Sequence, residues 1–235
     1  MSATGPIEVC ICCGSKELVA NKVLWPALVQ EWGLAEDERE YVDRQQGLQC
    51  QRCGSNLRTM ALAQAICHCY KHDGTFSRFV KQFRVRRLRV LELNEAGNLT
   101  KFLSRLPKYC IGKYPDVDMM HMPYKDKSFD LVVHSDTLEH VTDPIAALAE
   151  CHRVLVPGGY CAFTIPVIVG RLTRSRNGLP TSYHGDPNNC SPDFAVQTEY
   201  GCDAWKQLFW AGFRECRLTT PEFPSALAFV GRRWP

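Results

Sequence analysis

The chain has 235 residues, enough for one α/β domain with a small appendage, and its net charge is +3. That charge is too small to indicate a nucleic-acid partner. The most apolar window is interrupted by Pro157, Gly158, Gly159 and Pro166, which excludes a membrane span there. Because the first residues also lack a secretory pattern, we expect a cytoplasmic protein with no membrane partner.

Two near copies of one cysteine motif stand in the amino-terminal region. Cys10-x-x-Cys13 and Cys50-x-x-Cys53 are each followed by Gly-Ser, and the glycine relieves the tight turn. Two such turns supply the four sulfurs of a closed tetrahedral zinc site, which has no open position for chemistry. We therefore predict structural Zn²⁺ and a zinc-ribbon-like module over residues 1–55. Free buried cysteines are the alternative.

Helices are predicted inside and after this module. The insert between the motifs has a charged helical stretch over residues 36–44. It also has apolar positions typical of one or two helices, namely Leu18, Val23, Leu24, Leu28 and Trp32. A longer helix is predicted from Asn56 to His72. Cys67 and Cys69 would point to different faces of it, which favours buried thiols over a second metal cluster.

The rest of the chain alternates between strand and helix patterns. Strands are predicted at 89–93, 109–112, 131–134 and 160–165, with helices at 99–106 and from Pro144 to the Pro157-Gly158-Gly159 stop. Asp143 and Pro144 supply a cap and a first helical residue. Such alternation predicts a doubly wound, mostly parallel α/β sheet over residues 56–235.

Two elements are predicted near the carboxyl end. Four residues have the spacing of one apolar helix face and are predicted to be core: Trp205, Leu208, Phe209 and Phe213. A final strand is predicted at 223–230.

The stretch from Lys127 to Pro166 resembles the core of the class I S-adenosylmethionine-dependent methyltransferases, in particular their small-molecule subgroup. That family has a Pro-aromatic pair, Ser-Phe-Asp, a strand, Leu-Glu-His-Val, a helix and Arg-Val-Leu-x-Pro-Gly-Gly. These elements stand in order at 123–124, 128–130, 138–141 and 153–159. The resemblance implies a Rossmann-like fold, a methyltransferase activity and S-adenosylmethionine as cofactor.

The resemblance also implies a cofactor site. It places the cofactor among Glu92, Leu93, Asn94, Ala96, Gly97, Asn98, Asp118, Met119, Ser135 and Asp136. Asp118 would accept from the adenine amino group, Met119 would lie against the adenine ring, and Ser135 and Asp136 would border the methionine part.

Two departures from the family pattern stand out. The loop after the first strand has one glycine instead of two or three, and Lys113 replaces the acid that binds the ribose. We therefore expect ribose recognition from Asn94, Asn98 or a water. The same departures support the alternative of a catalytically inactive scaffold.

On the acceptor side, Tyr-His-Gly-Asp-Pro at 183–187 resembles a segment of bacterial methyltransferases that share the zinc knuckles. The resemblance implies Tyr183 and His184 near the methyl group, with His184 as a proton acceptor and His140 as a further candidate. The predicted acceptor is an oxygen, or less readily a nitrogen, of a small molecule or saccharide. We expect the protein to act in secondary-metabolite or polysaccharide biosynthesis, as a monomer or a homodimer. RNA or protein methylation, suggested by the basic run at 81–89, is the alternative.

Overall fold

The amino-terminal region is built around one short antiparallel strand pair. The structure is a computed structural model that describes residues 5–183 and 191–234, so His184 lies outside the described residues. The first elements are β1 (Leu18–Ala20), α1 (Pro26–Glu31), α2 (Glu36–Gly47) and β2 (Leu48–Cys50). The prediction that Leu18, Val23 and Leu24 are helical is wrong, because all three lie before α1. Leu18 pairs with Cys50, so the chain runs extended beside the second cysteine motif.

A buried helix joins this region to the sheet. Helix α3 (Leu57–Cys69) begins at Asn56, whose side chain accepts from the Thr59 N–H at 2.9 Å. It ends three residues before the predicted boundary, since Tyr70 leaves the helical conformation and Lys71 has a φ of 54°. Cys67 and Cys69 are buried as predicted. Helix α4 (Phe76–Phe79) follows.

The remaining elements form the predicted α/β fold. In chain order they are β3 (Val90–Leu93), α5 (Thr100–Leu103), β4 (Tyr109–Gly112), β5 (Phe129–Ser135), α6 (Pro144–Val154), β6 (Leu155–Thr164), β7 (Val167–Ile168), β8 (Arg174–Ser175), β9 (Thr198–Gly201), α7 (Lys206–Trp210), β10 (Glu215–Thr219) and β11 (Ala228–Arg232). The main sheet has the order β4-β3-β5-β6-β11-β10. Its first four strands are parallel, and β11 is antiparallel to both of its neighbours, β6 and β10, so the mostly parallel sheet is confirmed.

Helices cover both faces of this sheet. Leu131 and Val133 of β5 lie in one apolar cluster with α3, and the intervening Val132 lies in another with α6 and α7. This alternation follows from the two-residue period of a strand. The first cluster also contains Cys10 and Cys50, so the cysteine motifs and α3 share one packed interior.

The predictions near the carboxyl end are partly wrong. Leu208 and Phe213 are buried, but Trp205 and Phe209 are exposed because α7 is too short to present a four-residue apolar face. The last strand begins at Ala228, and Phe223 lies before it with 60% of its surface exposed.

The strand order fixes where a ligand can bind. From β3 the chain crosses to β4 on one side, and it then returns to β5 on the other side. Ligands of open α/β sheets bind at such a reversal, outside the carboxyl ends of the strands. The crevice between β3 and β5 is therefore the candidate site. Among the described residues, no helix combines the length and the apolar character that crossing a membrane requires.

Candidate active site and four-cysteine centre

Two residues with unusual backbone conformations flank the crevice. Asn94 follows β3 with a φ of 55°, and Asp136 follows β5 with a φ of 49°. The two loops are joined because the Asn94 amide donates to the Thr137 hydroxyl at 3.4 Å. Residues other than glycine seldom adopt this left-handed region, and those that do cluster at ligand sites. The structure thus brings the predicted Asn94 and Asp136 to the same edge.

Glu92 organises the loop after β3. Its carboxylate is fully buried and accepts from the Ala96 N–H at 2.7 Å, the Thr100 hydroxyl at 2.6 Å and the Tyr109 hydroxyl at 2.5 Å. Burial and this carboxylate raise the pKa of Tyr109 well above its usual range, so the phenol stays protonated and keeps donating. Glu92 therefore fixes the loop from beneath.

The same loop rests on the amino-terminal region. Gly97 has a φ of 54°, and a Cβ atom there would lie 3.2 Å from the Thr59 hydroxyl oxygen. The Asn98 amide donates to the Gly54 carbonyl of the second cysteine motif at 2.7 Å. Asn98 is thus engaged by the cysteine motif, and Gly97 occupies a position that favours glycine.

An acid lies beside Lys113, although Lys113 itself replaces the acid of the family pattern. Glu95, in the loop after β3, accepts from the Lys113 ammonium at 2.5 Å, and both side chains are exposed. The Tyr114 N–H meanwhile donates to the Asn94 side-chain oxygen at 3.0 Å. A carboxylate therefore stands at the carboxyl end of β4 after all, supplied by the neighbouring loop.

The remaining predicted cofactor residues lie on both sides of the crevice strands. Asp118 accepts from the Met120 N–H at 2.8 Å, which closes its own turn. Met119 is buried in the apolar cluster that includes Leu91 and Leu93. The Ser135 hydroxyl lies 2.7 Å from the Thr164 hydroxyl of the next strand. The roles of these side chains toward a cofactor stay predictions.

Sequence reasoning missed a buried charged group next to Asp136. The Arg58 guanidinium, on α3, lies 2.7 Å from an Asp136 carboxylate oxygen and is 2% exposed. Glu139 is also buried there, and burial and Asp136 raise its pKa to about 8 while Arg58 opposes the shift. One signal was visible: Arg58 is the single full charge in an otherwise apolar helix.

This raised pKa predicts a pH dependence of stability. In the folded protein Glu139 keeps its proton at pH values where the unfolded chain, with a usual pKa of 4.5, has lost it. The free energy of unfolding should therefore fall as pH rises from about 5 to 8. Urea titrations across that range should show a fall in the wild type and a flatter profile in Glu139→Gln.

The groups facing Glu139 are Arg58, Asp136, His140 and Tyr200. Burial lowers the pKa of His140, which acts in the opposite direction at lower pH. These groups are common to both proteins, so the difference between the two profiles isolates Glu139. Parallel profiles would contradict the prediction.

Two of the predicted catalytic residues meet one backbone segment. A ring nitrogen of His140 lies 3.2 Å from the Ala195 carbonyl, and Tyr183 forms an antiparallel bridge with Ala195. The structure thus brings Tyr183 and His140 together, and their catalytic roles stay predictions. The prediction for His184 concerns a residue outside the described ranges.

An apolar cavity of about 150 Å³ lies between the amino-terminal insert, α3 and the segment after β6. Its walls include Trp25, Leu28 and Trp32 of the insert, together with Arg58 and Pro166. The insert is fixed here by the segment after β7: the Arg171 guanidinium donates to Glu38 at 2.9 Å and to the Trp32 carbonyl at 2.7 Å. The Trp32 indole donates to the Ser182 hydroxyl at 2.8 Å.

The four predicted cysteines form one cluster. Their sulfurs all lie within 4.8 Å of one another, with 3.6 Å between Cys10 and Cys53 and between Cys13 and Cys50. Sulfurs bound at about 2.3 Å to a tetrahedral zinc are about 3.8 Å apart, so this donor set fits the ion. Cys12 is buried and is not one of these four; its sulfur lies 3.9 Å from the Thr59 carbonyl and also interacts with the Cys10 thiol.

Part of the chain is similar to known methyltransferases. Residues 53–163 match the methyltransferase domain family. A probable S-adenosylmethionine-dependent methyltransferase of Mycolicibacterium smegmatis is 39% identical over 59 residues, 23% of each chain. A demethylmenaquinone methyltransferase of Staphylococcus epidermidis is 50% identical over 42 residues, 18% of this chain and 17% of that one. The chain thus matches under a quarter of these curated relatives' length.

Solved structures give a weaker likeness. A possible histamine N-methyltransferase from Thermotoga maritima is 17% identical, covers 75% of this chain and 90% of its own, and has a TM-score of 0.44. A putative methyltransferase from Bacillus halodurans is 18% identical over 60% of this chain and 68% of its own, at a TM-score of 0.37. The family match is thus confined to residues 53–163, which are similar to a methyltransferase domain.

Proposed function

We propose that the whole protein is an S-adenosylmethionine-dependent methyltransferase. The observation that carries this proposal is that the family match spans the two loops, after β3 and β5, that bound the crevice at the strand reversal. When bound, the cofactor supplies an electrophilic methyl group. The protein's residues bind it, place the acceptor in line and exclude water.

The contacts suggest how the crevice residues share this task. Glu92 holds the loop, and Leu93, Ala96 and Gly97 let its backbone approach the cofactor. Asn94 joins the two loops, and Asn98 anchors the first to the cysteine motif. Asp118 and Met119 would contact the adenine, and Ser135 and Asp136 the methionine part. Because both asparagine side chains are engaged elsewhere, we assign the ribose hydroxyls to Glu95.

We further propose that Cys10, Cys13, Cys50 and Cys53 hold one structural Zn²⁺. The donor set has four thiolate sulfurs at zinc spacing and leaves no ligand position for a substrate. The boundary of the module near residue 55 belongs to the same proposal. The ion would hold the turn whose Gly54 carbonyl supports the cofactor loop.

For the reaction we propose transfer to an oxygen, or less readily a nitrogen, of a small molecule. The cofactor, when bound, would supply the methyl group to the acceptor oxygen, and the acceptor proton would pass to a base, for which His184 is the candidate. Tyr183 and His140 would orient the acceptor. The basic run before β3 lies at the amino end of that strand, opposite the crevice, which disfavours RNA as the acceptor.

Calorimetry with S-adenosylhomocysteine tests the proposal. The wild type should bind it, and Glu95→Ala should bind about tenfold more weakly because the ribose loses its carboxylate partner. Lys113→Ala, which removes the other member of the same ion pair, is the matched control and should bind nearly as the wild type does. Absence of wild-type binding at millimolar ligand would instead favour an inactive scaffold.

A further inference from the structure

The apolar cavity is the feature that the proposed cofactor site leaves unexplained. It measures about 150 Å³, and its walls are mostly apolar side chains from α1, α2 and the segments flanking them. An apolar cavity of about this volume accommodates a molecule the size of benzene. Sugar hydroxyls would lose their hydrogen bonds to water here without replacement. The lining therefore favours a single apolar ring over a saccharide.

One charged side chain in the cavity wall lacks a full set of partners. Arg58 is 2% exposed, and its Nε–H has no hydrogen-bond partner among the described residues. A buried guanidinium donor without an acceptor is costly, and a carboxylate is the acceptor whose geometry matches the guanidinium fork. The wall is thus suited to an anionic group on the ligand.

Arg58 also links the cavity to the crevice. Its Nη1 lies 2.7 Å from Asp136, the residue that follows β5 at the edge where the methyl group is expected. A second, polar depression of about 370 Å³ lies between the segment 175–181 and residues 195–198. Its walls include Thr142 and Ala195 but neither Arg58 nor Asp136, and its polar lining does not suit an apolar ring.

We propose that this cavity is the acceptor site and that it binds a small aromatic molecule carrying one carboxylate, which contacts Arg58. The inference rests on the proposed methyltransferase function and narrows its substrate class. The ring would lie between Trp25, Leu28 and Trp32, and the carboxylate would reach the Arg58 Nε–H. The carboxylate would then lie on the Asp136 side of the ring, toward the edge where the methyl group is expected.

Calorimetry with three probes tests this, each titrated into protein saturated with S-adenosylhomocysteine so that the cofactor site is occupied. The probes are 4-hydroxybenzoate, phenol and glucose. We expect 4-hydroxybenzoate to bind at least tenfold more tightly than phenol, and glucose to give no measurable heat. Equal binding of phenol, or preference for glucose, would overturn the proposal, as would the absence of 4-hydroxybenzoate binding.

Variants locate the binding. Gln46→Phe and Val23→Phe each add a ring to the cavity wall and should abolish 4-hydroxybenzoate binding. Arg39→Phe, on the exposed side of the same helix as Gln46, should leave it unchanged. Arg58→Gln should remove the preference for 4-hydroxybenzoate over phenol. Unchanged binding in both filled variants would overturn the site.

Binding of S-adenosylhomocysteine separates the two levels of the argument. It should be retained in Gln46→Phe, which also shows that the variant is folded. If the wild type binds S-adenosylhomocysteine but not 4-hydroxybenzoate, the acceptor inference fails and the methyltransferase proposal stands. If the wild type does not bind S-adenosylhomocysteine, the methyltransferase proposal fails first.

Discussion

Replacing Cys50 and Cys53 together by serine is expected to release the zinc and to unfold the amino-terminal region. The change removes two of four ligands, and structural zinc contributes on the order of 10–16 kcal/mol to small modules that depend on it. The damage should spread, because Cys10 and Cys50 share an apolar cluster with Leu57 and Met60 of α3. Zinc measured by mass spectrometry should fall from about one ion per chain to nearly none, with loss of a cooperative thermal transition.

Cys12→Ser is the matched control for this experiment. Cys12 is as fully buried as Cys10 and stands in the same motif, but its sulfur faces the Thr59 carbonyl outside the cluster. It should keep its zinc. A cooperatively folded double variant, or one with unchanged metal content, would show that the four cysteines are packed thiols.

Local patterns predicted the architecture well because local chemistry determines it. Strand β4 has the predicted limits, and Asp143 caps α6 by accepting from the Ile145 and Ala146 N–H groups. The parallel sheet follows from the strand–helix alternation. The spacing within each cysteine motif likewise predicted which sulfurs would meet.

Contacts between segments far apart in the chain could not be predicted in this way. The pairing of Arg58 with Asp136 depends on how α3 crosses the sheet, and Glu95 reaches Lys113 only because β3 and β4 are neighbours. Periodicity reports which face of an element is apolar, and it carries no information about which loop a charged side chain will meet. The prediction that Trp205 and Phe209 are buried was wrong for a related reason, because it required a longer helix than α7.

The amino-terminal region contacts two segments that border the proposed site. Asn98 ties the cofactor loop to the second cysteine motif, while Arg171 ties the acceptor-side segment to Glu38. The amino-terminal region thus contacts both the loop after β3 and the segment after β7. The contact from Asn98 helps to fix the conformation of a loop that has only one glycine.

Replacing Glu92 by alanine is expected to have the second large effect, on cofactor binding. The change leaves the Ala96 N–H, the Thr100 hydroxyl and the Tyr109 hydroxyl without their buried acceptor. Each such loss costs about 1–3 kcal/mol. The loop that carries Gly97 should lose its conformation, and binding of S-adenosylhomocysteine should weaken by about 100-fold, which corresponds to about 2.8 kcal/mol.

Glu92→Gln and Tyr109→Phe distinguish two roles of Glu92: positioning the loop through hydrogen bonds, and contacting the cofactor through its negative charge. The glutamine oxygen can still accept from Ala96 and Thr100, and the Tyr109 hydroxyl can rotate to accept from the new amide, so binding should weaken only a few-fold. Tyr109→Phe removes the hydroxyl that donates to Glu92 and leaves the contacts of Glu92 with Ala96 and Thr100 in place. We expect it to weaken binding by a similarly small factor. Calorimetry and circular dichroism on the three variants check this. If glutamine were as damaging as alanine, the negative charge itself would contact the cofactor, and Glu92 would act directly instead of through the loop.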